Sequence, residues 1–147
     1  MTQIDFYIKA EDRLQTACRI AAKAWRQGLR VLLLTPDAGA TAVVDRLLWS
    51  TPATGFVPHV RAGHALAPIT PVIVDHVAEP LPHDEVLLNL CREWPPVFSR
   101  FQRLVEIVST DDEDSRAARE RYRFYQSRGY PIRHHDLSAL RQRPARP

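Results

Sequence analysis

"AAKAWRQGLRVLLLTPD", Ala21 to Asp37, carries two different periodicities on either side of one glycine. Before Gly28, apolar residues recur at Leu14, Ala17, Cys18, Ala21, Ala22 and Trp25, which is helical spacing and predicts a helix over Glu11–Gln27. After it, "RVLLLT" (Arg30 to Thr35) is apolar almost without a break, the pattern of a strand covered on both faces of a parallel sheet. Gly28 stands where a helix-ending glycine belongs, because only a residue without Cβ adopts a left-handed backbone at low cost. Outward from this stretch, "IDFYI" (Ile4 to Ile8) reads as a preceding strand. "TAVVDRLLW" (Thr41 to Trp49) reads as a following helix beyond the turn "PDAGA". Strand, helix, strand, helix predicts an α/β fold with a mainly parallel sheet flanked by helices and right-handed crossovers.

The second half continues the pattern less regularly. "VIVDHV" (Val72 to Val77), "EVLLNL" (Glu85 to Leu90) and "RLVEIVS" (Arg103 to Ser109) are strand candidates. The Pro- and Gly-containing stretches "STPATGFVPH" and "RAGHALAPITP" read as loops around short strands, and "WPPVFSRF" as a helical turn or short helix. Thr110 with Glu113 three residues on has the form of a capping box, opening a helix through "RAARERYRFY" (Arg116 to Tyr125). "YPIRHHD" after Gly129 predicts an edge strand, and "SALRQRPARP" a frayed basic tail.

At 147 residues the chain is expected to form one domain, long enough to bury roughly two-thirds of its unfolded surface. No apolar run approaches the ~20 residues of a membrane span. The start "MTQIDFYIKAED" has neither the basic nor the apolar region of a signal peptide, and Cys18 and Cys91 lack metal-ligand spacing, which together predict a cytoplasmic protein with reduced thiols. Charge is unevenly distributed. Ser115 to Pro147 holds nine arginines against Glu120 and Asp136, a net +7, while Met1 to Asp114 holds eleven Lys and Arg against fifteen Asp and Glu, a net −4. A basic C-terminal third on a mildly acidic body points to an anionic partner at one surface.

Motifs for chemistry are missing. The strand-to-helix turns "YIKAED" and "TPDAGATA" contain neither G-x-G-x-x-G nor G-x-x-x-x-G-K-[ST], so no loop cradles a phosphate. No G-x-S-x-G elbow occurs, and the His-Asp pairs at Asp75-His76, His83-Asp84 and His134-His135-Asp136 follow no ligand spacing. The expectation is no catalytic residue, no metal and no cofactor. What remains is surface. On a helical wheel Ala117, Ala118, Arg121, Tyr122, Phe124 and Tyr125 share one arc, with Arg116, Arg119 and Arg123 opposite. Phe124 and Tyr125 are expected in the core, and Tyr122, at the border, forms the floor of a pocket or packs inward. Trp49 and Phe56 flank a Pro- and Gly-containing turn, either capping the core or forming an apolar anchor of the kind enriched at protein interfaces.

Taken in order, "FYI", the W-x-x-G-x-R-V-L block (Trp25 to Leu32), "LLWSTPATGFVPH" (Leu47 to His59) with "AG" shortly after, and "ARERYRFYQSRGY" (Ala118 to Tyr130) resemble the chi subunit family of bacterial DNA polymerase III. The resemblance covers roughly Met1 to Asp136, leaving 137–147 as a basic, flexible C-terminal tail beyond the family pattern. It implies a single Rossmann-like domain without a nucleotide-binding loop and without catalysis of its own. It also implies a one-to-one pairing with a psi-like clamp-loader subunit through a surface including Trp49 and Phe56, which an accessory helicase shares in some relatives. A further implied partner is the acidic C-terminal tail of single-stranded DNA-binding protein, held by Arg119, Tyr122 and Arg123, with Arg116 on the same stripe. Nucleic acid then enters only indirectly, and no membrane is involved. The alternative reading is a direct nucleic-acid-binding module built on the same arginine helix. An acidic peptide suits a stripe of only about two turns, because nucleic acid calls for a longer basic track with stacking aromatics.

Overall fold

The computed structural model describes residues 1–50, 57–77 and 83–141. The elements run β1 (Gln3–Ala10), α1 (Arg13–Arg26), β2 (Val31–Leu34), α2 (Ala38–Ser50), β3 (His59–Val60), β4 (Val72–Asp75), β5 (Val86–Asn89), β6 (Arg103–Ser109), α3 (Asp112–Ser127), β7 (Ile132–Asp136) and α4 (Leu137–Arg141). The strands form one sheet in the order β3-β4-β2-β5-β6-β1-β7, and every pairing is parallel. This is a Rossmann-like α/β domain.

The glycine hinge behaves as its sequence position demands. Gly28 has φ 83°, its N–H bonds the Trp25 carbonyl at 2.9 Å, and the Leu29 N–H bonds the Ala24 carbonyl at 3.0 Å. These two bonds close α1 as a Schellman motif and turn the chain directly into β2. Asp12 starts the same helix by accepting from the Gln15 N–H at 3.1 Å. β2 is buried at all four positions, since helices or loops lie over both of its faces.

The starts of α2 and α3 differ from the sequence reading for a visible reason. α2 begins at Ala38 rather than Thr41, because the Asp37 carboxylate accepts from the Ala40 N–H at 2.8 Å and caps the helix earlier. The cap of α3 is Asp111, not Thr110. The Thr110 N–H is committed to the Ala10 carbonyl at 3.1 Å, still within reach of the sheet. The Asp111 carboxylate instead receives the Asp114 N–H at 3.1 Å, and Asp114 reaches back to the Ser109 N–H at 2.7 Å. Only half of a capping box is kept, since the Asp111 N–H bonds the Ser109 hydroxyl at 3.2 Å rather than the Asp114 carboxylate. Leu137–Arg141, read from sequence as the start of a frayed tail, forms α4, with Leu137 packed on the core. Residues 142–147 lie outside the described residues.

The sheet divides two cores. Ala17, Cys18, Ala21, Val44 and Leu48 of α1 and α2 pack on Val31, Leu33, Val74, Leu88 and Ile107 on one side. On the other, Ala118 and Tyr125 of α3, with Phe98 and Phe101, pack on Ile4, Phe6, Leu32, Leu87 and Leu104. Both cysteines are free thiols, and burial pushes the Cys18 thiol up to about 12. Open parallel sheets place ligands beyond the C-terminal ends of their strands. Here Arg13 reaches over that region, donating from Nε to the Ile107 carbonyl at 3.0 Å and lying 3.8 Å from Asp114. No helix among the described residues is long and apolar enough to cross a membrane.

Candidate functional site

α3 is held on the sheet by charge as well as by apolar contact. Glu106 of β6 and its sheet neighbour Asn89 of β5 face α3 from within the core, both 0% exposed. Arg121, 1% exposed, lies 3.1 Å from the Glu106 carboxylate and donates to the Arg92 carbonyl at 2.8 Å. The Tyr125 hydroxyl donates to the other carboxylate oxygen at 2.6 Å, and the Asn89 amide does so at 3.1 Å. Burial raises the Glu106 carboxyl above its ordinary range, against the pull of Arg121, Tyr125 and Asn89. Burial also pushes the Tyr125 hydroxyl well above the usual phenol range, so it remains a donor. Four polar side chains thus fix the rotation of α3 about its axis.

That rotation decides what the rest of the helix presents. Arg119 and Tyr122 are brought together in one cleft of about 550 Å³ between α3 and the C-terminal ends of β1 and β6. Phe6, Ile8, Val108 and Ala118 supply its apolar surface; Lys9, Ser109, Thr110, Ser115 and His134 supply its polar edge. Tyr122 packs edge-on to Phe6, ring centroids 5.7 Å apart, and tilts against His134 at 5.3 Å. Its ring is therefore wall rather than core, shared between the protein interior and the cleft.

Arg123 is exposed on the outer face of α3 and does not line the cleft. Arg116 lines a different hollow of about 410 Å³ on the opposite flank of the helix, with Arg92, Glu93, Trp94, Glu113 and Glu120. Arg92 and Glu113 pair there at 3.3 Å, so that flank is mixed in charge rather than basic. Phe124, expected in the core, is half-buried and stacks flat under Trp94 at a centroid distance of 4.0 Å. Tyr125 is fully buried.

Trp49 sits at the end of α2 and is 60% exposed, its ring edge-on to His59 at 5.1 Å. The His59 ring is buried, donates through Nδ1 to the Val57 carbonyl at 2.7 Å and places Nε2 3.1 Å from the Asp45 carboxylate. Trp49 thus rests on a fixed base. Phe56 lies outside the described residues. Among the described residues no group of three or more His, Cys, Asp or Glu is placed to hold a metal ion.

Two features of this region escaped the sequence reading. Glu106 occupies an inward position of an otherwise apolar strand, and Arg121 falls on the apolar arc of its helix. Opposite charges at two positions that periodicity assigns to the core were the available signal, since buried charges require partners. Lys9, the other omission, has no periodicity to betray it.

The family model described as DNA polymerase III chi subunit, HolC, matches residues 1–133. A Pseudomonas aeruginosa protein named DNA polymerase III subunit chi is 38% identical over 144 residues, covering 95% of this chain and 100% of the relative. Proteins of the same name from Haemophilus influenzae and Escherichia coli are 32% and 33% identical, covering 86% and 80% of this chain and 92% and 81% of the relatives. The chain belongs to the chi subunit family of DNA polymerase III, accessory subunits of the replicative polymerase complex.

Proposed function

We propose that this chain is a non-catalytic, cytoplasmic adaptor that links the clamp loader, through a psi-like subunit, to the acidic C-terminal tail of single-stranded DNA-binding protein. The supporting observation is the cleft in which Arg119 and the Tyr122 ring meet an apolar floor of Phe6, Ile8 and Val108. A tail rich in carboxylates and ending in an apolar ring needs those two chemistries side by side. Arginine meets a carboxylate with a planar fork of donors, while the ring is removed from water against carbon. The opposite flank of α3 alternates Arg92 and Arg116 with Glu93, Glu113 and Glu120, which does not make the continuous basic track that nucleic acid favours.

The deciding experiment titrates the protein with two ligands at one salt concentration: an acidic peptide ending in Pro-Phe and an oligo-dT of matched charge. Saturable binding of the peptide with little response to the oligonucleotide is expected. Preferential binding of the oligonucleotide would instead establish the nucleic-acid module. The same preparation should not turn over ATP.

Trp49 supports the second half of the proposal, because a large ring 60% exposed on a rigid base is suited to bury itself against a partner. Trp49→Ala is expected to weaken a psi-like subunit or accessory helicase by more than ~2 kcal/mol with the melting temperature unchanged. A lower melting temperature with unaltered partner affinity would make Trp49 a core cap. Phe56→Ala is assigned the same test.

A further inference from the structure

The cleft beside α3 holds a second cation that no sequence motif marks. Lys9 lies near the end of β1 with φ 60°, the one non-glycine residue among those described with a left-handed backbone. There the register of β1 against β6 shifts: Tyr7 faces Ile107, yet Ala10 faces Ser109, so β1 carries one residue more than its partner between those points. Regular alternation would send Ile8 and Lys9 to opposite faces of the sheet. The irregularity allows both to line the cleft. A lysine in a conformation natural to glycine carries backbone strain, and such outliers gather at functional positions.

The Lys9 amine lies 3.3 Å from the Asp136 carboxylate at the end of β7, both side chains more than one-third exposed. Asp136 is itself held by the Ser138 N–H at 2.8 Å and by the Ser138 hydroxyl. The Ser138 hydroxyl is also the main cause that lowers the Asp136 carboxyl to about 2, with Lys9 adding to it, so this carboxylate is ionised throughout the physiological range. An internal carboxylate therefore occupies a lysine at the edge of the cleft that also presents Arg119.

We propose that Lys9 is a second carboxylate anchor of this cleft, exchanging Asp136 for a carboxylate of the incoming peptide while Arg119 holds another. The inference rests on the reading of the cleft as the acidic-tail site. Exchange of one exposed ion pair for another leaves little net desolvation, so Asp136 keeps the amine placed without blocking entry. Two separated cations also suit a ligand that brings a chain-terminal carboxylate together with side-chain carboxylates.

The test uses the full chain and the acidic peptide ending in Pro-Phe. Lys9→Gly removes the amine and suits the positive φ, so stability should hold or rise while peptide affinity falls about fivefold and the salt dependence flattens. Asp136→Asn keeps an amide able to bond Ser138 and should tighten the peptide about twofold, because the competing charge is gone. Arg119→Ala serves as the control for the site. If Arg119→Ala weakens the peptide while both Lys9→Gly and Asp136→Asn bind it like the wild type, Lys9 is only a strand-end ion pair and this inference is overturned alone. A wild-type protein that does not bind the peptide removes the reading of the cleft, and this inference with it.

Discussion

Glu106→Ala is expected to lower the stability of the domain by about 3–5 kcal/mol, the cost of stranding a buried counter-charge. At roughly 2–4 °C per kcal/mol for a chain of this size, the melting temperature should fall by about 6–20 °C. The physical reason is Arg121, 1% exposed and 3.1 Å from Glu106, which would be left as an unpaired cation in the core. Tyr125 and Asn89 would lose their shared acceptor at the same time. Urea unfolding followed by circular dichroism measures the loss. A change below ~1 kcal/mol would show that water or a rearranged side chain satisfies Arg121 as well as Glu106 does. Replacing both charges by leucine should recover most of the stability, because a buried ion pair contributes little beyond what well-packed apolar groups supply.

The same pair fixes a sign for pH. Burial lifts the folded Glu106 carboxyl above its unfolded value of 4.5, so folding takes up protons at this group as pH rises past that value. The part of the stability linked to its protonation is full below about pH 4.5 and is lost as pH rises through the folded pKa. Glu106→Gln, which cannot titrate, should remove that part of the slope while keeping the side chain's volume.

Arg119→Ala is expected to cut affinity for the acidic peptide about tenfold or more, since a charge-assisted contact to a carboxylate is worth roughly 1.5–3 kcal/mol. Removing the peptide's terminal phenylalanine should weaken binding at least as much. Burying such a ring against Phe6, Ile8 and Val108 contributes about 1.5–3 kcal/mol. Tyr122→Ala should weaken the peptide with little change in salt dependence, because it removes a wall and no charge. Isothermal titration at two salt concentrations separates these effects. Equal binding of the intact and truncated peptides would mean that the cleft is only a charged surface.

The fold was legible because its signals are local. Each of the four strands first read from apolar runs, at Ile4 to Ile8, Arg30 to Thr35, Val72 to Val77 and Glu85 to Leu90, has an observed counterpart: β1, β2, β4 and β5. The fifth run, Arg103 to Ser109, is β6 as read. Gly28 ended its helix because left-handed geometry is intrinsic to the residue. The two-residue β3 was hidden among prolines and glycines, being too short to show a period.

The site was legible only in part. In a helical projection Arg119 and Arg123 share one arc with Tyr122 at its border, so spacing alone makes all three neighbours. By itself the sequence determined the α/β class, the basic stripe and the family pattern, since these depend on residue types at fixed chain separations. It did not determine that Arg119 and Tyr122 share a cleft from which Arg123 is absent and Arg116 is turned away, for that depends on how α3 is rotated on the sheet. The rotation is set by Arg121 and Tyr125 meeting Glu106, 15 and 19 residues back along the chain, and the cleft's other wall comes from β1 at the opposite end of the sequence. Contacts between residues so far apart form only when the sheet is assembled, and Lys9 enters the cleft only through an irregularity in that assembly.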